Sequence, residues 1–300
     1  MSDIRVLDDA AVAAALPMTT AIDAIRAALL AGLDPAADPA RAVLPVDHGH
    51  LLLMPAQWGG FVGVKTVTVA PDNPAVGLPR VQGSYLLLDG STLTPLALLA
   101  GATLTAIRTS AVSAVAADLL AEPDAATLLV FGSGPQAHHH VAALRAVRPI
   151  RQVVVVGRDR ARAAALVTRC GVDARIGTAR DVATADIVAC CTTARRPLFD
   201  GALLRRHTTV IAVGSHEPEA VEVDAATVTG STVVVEESAT ALREAGDVIQ
   251  ARLDPAALVE LAALVRGTAH VEPSRPRLFK SVGMAWEDLV LAVAVYQRVR

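Results

Sequence analysis

Chemistry is first legible in this 300-residue sequence at a short glycine turn. Gly132-Ser133-Gly134-Pro135-Gln136-Ala137 follows the apolar run Thr127–Phe131 and opens an Ala-rich stretch of helical pattern. In a strand–turn–helix the first glycine permits the tight turn. The second lets the backbone approach a pyrophosphate, and the helix start supplies free N–H groups and a positive dipole end. Ala137 stands at the third glycine position, a tolerated variant. A lone GxG is a weak signal; the strand before it, the helix after it and a second strand from about Arg151 give it the context of a dinucleotide site. That second strand ends Val156-Gly157-Arg158-Asp159-Arg160, with a glycine where NAD enzymes usually carry an acid for the ribose. A guanidinium at Arg158 suits a 2′-phosphate. We therefore expect NADP(H) to be preferred, with NAD(H) as the alternative. Two other readings stay open here: Arg158 and Arg160 as solvated helix-start residues, or Asp159 as the ribose acid after a one-residue slip.

The lysines come next, because there are only two, Lys65 and Lys280, among 27 basic residues. Lys65 sits in an apolar strand pattern, where desolvation depresses an ammonium's pKa and makes a proton donor or acceptor near neutral pH. The run His138-His139-His140 lies in the first turns of the helix after the glycine turn. Three consecutive helical positions cannot face one metal ion, so these read as surface or interface histidines. Cys170, Cys190 and Cys191 lack a second CxxC pair and any histidine at zinc spacing, so no metal site is expected and the thiols read as reduced. Asp224, Glu236, Glu244 and Asp247 read as caps and surface charges.

The elements that must position these groups fall into two patterns. Hydrophobic residues make up 53% of the chain and charged residues 19%, which excludes a disordered chain. Aromatics at 3% and a formal charge of −3 argue against nucleic-acid binding. The longest uncharged run, 90–107, holds Pro95, two glycines and several hydroxyls, so no membrane span is expected. The N-terminus lacks the apolar core of a signal peptide, and a cytoplasmic protein is the expectation. From about residue 127, Val- and Ile-rich strands (127–131, 151–156, 186–191, 208–213, 231–235) alternate with helices (136–147, 159–169). That is the pattern of a doubly wound parallel sheet covered on both faces. Before it lie a helix at 18–32, strands at 51–54, 61–69 and 83–88, and a helix at 103–120. A last helix spans 284–300, after a segment around 273–281 of uncertain allegiance. The expected domains are 1–122 joined by 284–300, an α+β unit, and 123–283, a Rossmann-type α/β unit, divided at Glu122-Pro123-Asp124.

Across nearly its whole length the sequence resembles the ornithine cyclodeaminase/mu-crystallin family of NAD(P)-dependent enzymes. The resemblance is carried by Arg41-Ala42-Val43-Leu44, Leu53-Met54-Pro55-Ala56 and Gly63-Val64-Lys65-Thr66-Val67. It continues through Leu104-Thr105-Ala106-Ile107-Arg108-Thr109-Ser110-Ala111, the glycine turn, Ala212-Val213-Gly214-Ser215 and Leu278-Phe279-Lys280-Ser281-Val282-Gly283. It implies a homodimer whose first domain binds substrate and pairs the subunits. It also implies that Arg41, Lys65 and Arg108, with Met54 and Ser84 nearby, contact a small imino or amino acid. Around Gly132–Ala137 it implies a cofactor site that also draws on Arg108, Thr109, Gly214 and Ser281. Arg grips a carboxylate bidentately and Lys adds a compact charge, which agrees with those roles.

One position departs from the cyclodeaminase pattern. Where that branch reads Val-Gly-Gly-Asp, this chain reads Val213-Gly214-Ser215-His216. Without the carboxylate that works with water in ring closure, ornithine cyclisation is doubtful. The segments Gln82-Gly83-Ser84-Tyr85 and Gly214-Ser215-His216-Glu217-Pro218 look most like the branch that reduces 1-pyrroline-2-carboxylate and 1-piperideine-2-carboxylate to L-proline and L-pipecolate. Lys65 or His216 would then supply the proton to the ring nitrogen, with His216 equally readable as a pocket-shaping loop residue. The rival functions are an ornithine cyclodeaminase, an alanine-type amino-acid dehydrogenase, and a mu-crystallin-like NADPH-dependent binding protein.

Overall fold

The structure is a computed structural model that describes residues 4–299. It separates into two compact units, Met1–Arg108 with Met284–Arg300, and Thr109–Gly283. The division falls inside one helix, Gly101–Leu120, rather than at the Pro123 turn. A turn residue marks where a helix stops, whereas the unit boundary lies where its packing partners change. This helix is long and apolar enough by composition to cross a membrane, yet most of it is buried inside the protein.

In the first unit the strands run, across the sheet, Arg5–Leu7, Pro95–Ala100, Val81–Asp89, Phe61–Val69, Gly49–Trp58 and Ala42–Val46. All neighbours are antiparallel except the first pair. Successive side chains point to opposite faces of a strand, and the burial follows that period. Leu52, Met54 and Ala56 are buried, as are Gly63, Lys65 and Val67, with Tyr85 and Leu87 beside them. The C-terminal helix Ala285–Arg298 packs over this covered face. The helix Met18–Leu30 packs against that helix and buries Ala21, Ile22, Ile25, Ala28 and Leu29, the i, i+3/i+4 stripe of an amphipathic helix.

The second unit holds a wholly parallel sheet in the order Leu258–Glu260, Thr232–Val235, Arg277–Lys280, Thr209–Ala212, Ile187–Cys190, Thr127–Phe131, Gln152–Val156, Asp173–Ile176. The central strands are buried along all or nearly all of their length, which explains why they read as apolar runs without an alternating polar face. Strand order reverses between Thr127–Phe131 and Ile187–Cys190, so the glycine turn lies at the topological switch point where such sheets bind ligands. The segment of uncertain allegiance contributes an interior strand, Arg277–Lys280, between Thr209–Ala212 and Thr232–Val235. Its shortness, its charged ends and the prolines just before it hide it from a reading based on hydrophobic runs.

Candidate active site and cofactor cradle

Lys65 is buried on the covered face of the first sheet, 1% exposed. Register places Met54 directly opposite it on one neighbouring strand and Tyr85 on the other. Its Nζ donates to Asp288 Oδ2 at 2.6 Å and to Thr105 Oγ1 at 3.3 Å. Arg108 Nη1 donates to Glu287 Oε2 at 2.7 Å, and Arg108 Nε lies 3.5 Å from Asp288 Oδ1. Both acids are fully buried in the first turn of Ala285–Arg298. There they face the helix dipole's positive end, which favours a carboxylate. Asp38 ties the chain before the edge strand to the same turn by accepting from Trp286 N at 2.7 Å. Tyr85 OH and Trp286 Nε1 are buried with no hydrogen-bond partner, which marks donors available to something not held by the chain itself.

The electrostatics follow from this crowding. Burial, and then the neighbouring Arg108 charge, lower the Lys65 ammonium from 10.5 to about 8, with Asp288 opposing the shift. Burial raises Asp38 from 3.8 to about 7, and the charge of Asp288 adds to that. The result is two cations and three carboxyls in a low-dielectric setting, with two of them titrating near neutrality. Such a cluster can bind a small charged ligand and move a proton.

Arg41, the remaining cation expected here, is half-buried just before the edge strand Ala42–Val46. Ser84 is placed differently from Lys65. It neighbours Tyr85 in the strand and pairs with Thr66, so its side chain stands on the opposite, half-exposed face of the sheet. Sequence reasoning missed Glu287, Asp288, Asp38 and Thr105. The available signal was Glu287-Asp288 themselves, two adjacent acids at the start of an otherwise apolar helix.

In the second unit the glycine turn has the shape a pyrophosphate needs. Gly132 has φ +110°, and a Cβ there would lie 2.4 Å from the carbonyl oxygen of Cys191. Only glycine tolerates that conformation and that approach. A Cβ at Gly134 would instead meet open space. The helix Pro135–Val147 starts at Gly134 with no side chain capping it, and Gln136 Oε1 is buried without a partner. Ala137, at the tolerated third position, is fully buried. These residues fit a dinucleotide: an uncapped helix start, an open approach and a left-handed turn at the switch point. Ser133 sits beside Gly157 at the end of the second strand, where a Cβ would lie 3.4 Å from Ser133 Oγ. Beyond it Arg158 is exposed. Asp159 accepts from Ala161 N and Arg162 N as the cap of Arg160–Arg169. Its Oδ1 is thereby engaged by the helix start.

Of the other expected cofactor residues, Arg108 belongs to the first unit, and Thr109, Gly214 and Ser281 to this one. Thr109 is buried and its carbonyl accepts from Ser113 Oγ at 2.8 Å. Gly214 lies just past the strand Thr209–Ala212, where a Cβ would collide with Thr192 O at 2.0 Å. Ser281 Oγ donates to Glu236 Oε1 at 2.6 Å. His216 is exposed in the loop two residues after Gly214.

Two expectations are corrected. His140 is not a surface histidine. It is fully buried, with Nδ1 2.8 Å from Gln136 O and Nε2 2.9 Å from Ser113 Oγ, and burial lowers it to about 4. On a helix packed to a sheet, one of three consecutive residues must face inward, and it is His140. Glu236 and Asp247 are not surface charges either; each is 2% exposed and bonded to backbone N–H groups. Asp224 is a cap as expected, accepting from Thr227 N.

Comparison with known proteins supplies the context. A model of the ornithine cyclodeaminase/mu-crystallin family matches residues 3–300. The chain is 35% identical over 278 residues to a delta(1)-pyrroline-2-carboxylate reductase of Bacillus cereus, covering 87% of this chain and 85% of the relative. It is 36% identical over 256 residues to a delta(1)-pyrroline-2-carboxylate/delta(1)-piperideine-2-carboxylate reductase of Azospirillum brasilense, covering 84% and 81%. Among solved structures, the delta(1)-pyrroline-2-carboxylate reductase of Thermococcus litoralis, in complex with NADH and L-proline, superimposes with a TM-score of 0.92 at 30% identity. That match covers 99% of this chain and 97% of the other.

Proposed function

The chain belongs to the ornithine cyclodeaminase/mu-crystallin family, and from that premise we propose that it is an NAD(P)H-dependent oxidoreductase that reduces a cyclic ketimine. The substrates are 1-pyrroline-2-carboxylate or 1-piperideine-2-carboxylate, and the products L-proline or L-pipecolate. The observation that carries this reading is the buried Lys65–Asp288 pair beside Arg108 on one sheet face, in a chain whose relatives bear that activity.

A bound nicotinamide dinucleotide supplies the hydride that the imine carbon accepts. The chain's own residues do the rest. Arg108, held through Nη1 by Glu287, supplies the guanidinium charge that attracts the substrate carboxylate. Lys65 holds a proton whose release is eased by burial, and delivers it to the ring nitrogen as C=N becomes C–N. Asp288, 2.6 Å away, fixes the ammonium's direction and keeps it charged at neutral pH. His216 is the second candidate donor, standing where cyclodeaminases carry Asp. An imidazole there does not reproduce that Asp's carboxylate, which supports reduction over ornithine cyclisation.

NADP(H) is the preferred cofactor in this reading. The supporting observation is that Asp159 is spent on a helix cap while Arg158 is exposed beside it, so the second strand ends on a cation rather than a free acid. A homodimer is the proposed assembly. One face of the first sheet carries Leu53, Pro55, Val62, Val64, Leu86 and Leu88, all half-exposed, and the edge strand Ala42–Val46 is exposed throughout. Such a contiguous apolar face fits burial against a second copy. The three unpaired cysteines fit a reducing, cytoplasmic setting.

The test is direct. Each ketimine is offered with NADPH or NADH and cofactor absorbance is followed. Oxidation that depends on the ketimine is the expected result. Ammonia release from ornithine with NAD, and no oxidation of either reduced cofactor by ketimine, would replace this function with a cyclodeaminase.

A further inference from the structure

The Thr109–Gly283 unit holds a second buried charge network that the proton chemistry does not use. The strands Thr127–Phe131, Ile187–Cys190 and Thr209–Ala212 lie side by side, and their ends lead into Gly132, Cys191-Thr192 and Val213-Gly214. These ends touch one another: Gly132 packs on Cys191 O, and Gly214 on Thr192 O and Glu222 Oε1. Glu222 is fully buried beneath them. Its Oε1 accepts from Thr192 N at 2.8 Å and Thr192 Oγ1 at 2.6 Å, and its Oε2 accepts from Gly214 N at 2.6 Å. One carboxylate therefore staples two adjacent strand ends.

A second tier holds Glu222 itself. Asp247 Oδ1 accepts from Glu222 N at 2.7 Å and Val223 N at 2.9 Å. Asp247 Oδ2 lies 2.9 Å from Lys280 Nζ, which donates to Ser215 O at 2.8 Å. Thus Gly214-Ser215 is fixed from one side by Glu222 and from the other by Lys280. The rarer of the two cation types appears in the interior here for a structural purpose. A buried carboxylate is costly, and burial does raise Glu222, with Lys280 opposing the shift. In this fold the first three strands serve the adenosine half of a dinucleotide and the strands beyond the switch point serve the other half. The stapled ends at Thr192 and Gly214 lie beyond that point.

We propose that Glu222 is a positioning residue for the nicotinamide half of the cofactor, pre-forming the Thr192 and Gly214 strand ends against which that half binds. The inference rests on the dinucleotide reading given above. Glu222→Gln is nearly isosteric but presents one oxygen and one NH2 group, so either the Thr192 or the Gly214 N–H must face a donor. The test titrates NADH and ADP-ribose, which lacks the nicotinamide, into the wild type and two variants, with Tm measured alongside. For Glu222→Gln the NADH dissociation constant is expected to rise about tenfold while ADP-ribose binds within about twofold of wild type. Thr192→Val removes the hydroxyl's bond to Glu222 and the one it accepts from Ala194 N, and should shift NADH alone by about threefold. Unchanged NADH affinity in both variants, or parallel losses of both ligands, would overturn the proposal, because a merely structural role weakens the two together. A wild type that binds neither of these ligands nor NADPH would overturn the dinucleotide reading and this role with it, so the two failures are distinguishable.

Discussion

At Lys65 the ammonium has exchanged its water for Asp288, Thr105 and the field of Arg108, and its pKa of about 8 follows from that exchange. A proton donor is active while protonated, so kcat/KM for the ketimine should be level below pH 8 and fall as pH rises through 8. A pH–rate profile reads this, and Lys65→Met should remove the limb and lower kcat by about 10²–10⁴ with NADH affinity unchanged. Lys65 is legible in the sequence because lysine is so rare in this chain. Its partners are not, since an Asp or Glu in a helix's first turn ordinarily reads as a dipole charge. At Arg158, replacement by Ala should weaken NADPH about tenfold or more and leave NADH nearly unchanged. Fluorescence titration with both cofactors decides it, and equal effects would remove the 2′-phosphate assignment.

At the scale of elements, the C-terminal helix does more than cover a sheet. Its first turn carries the acids that answer Lys65 and Arg108, and Asp38 pins its Trp286 N–H. Asp288→Asn leaves the buried cations short of one negative charge. It should cost about 3 kcal/mol in denaturant unfolding. The raised Asp38 makes a second, pH-dependent claim. With the folded group near 7 and the unfolded one at 3.8, the fold holds an extra proton between those values. Stability from this residue therefore falls as pH rises through that window. Asp38→Asn abolishes that slope, so its Tm relative to wild type should be higher at pH 8 than at pH 4. A constant difference would show that Asp38 ionises normally. The regular elements are readable because a parallel-sheet strand with both faces buried leaves an unbroken Val and Ile run, as at Gln152–Val156. Arg277–Lys280 is not, because its charges are satisfied by Glu122, Ser215 and Asp247 rather than by solvent. Buried acids such as Glu222 and Asp247 are equally silent in sequence, since burial of a charge is decided by distant partners.

At the scale of the whole molecule, the half-exposed apolar face of the first sheet calls for a partner surface. Light scattering should give about twice the 31.0 kDa chain mass. Val64→Glu, at the middle of that face between Pro55 and Leu86, should yield monomers, because a charge there would be desolvated on pairing. A wild-type monomer would leave the face without its proposed cover. The central claim, however, is the chemistry that two units of this kind perform. The most direct measurement is the decrease of NADPH absorbance with 1-pyrroline-2-carboxylate and 1-piperideine-2-carboxylate, run beside the Lys65→Met variant. Ketimine-dependent oxidation by the wild type, lost in the variant, is the predicted result. No oxidation with either ring and either reduced cofactor would contradict it.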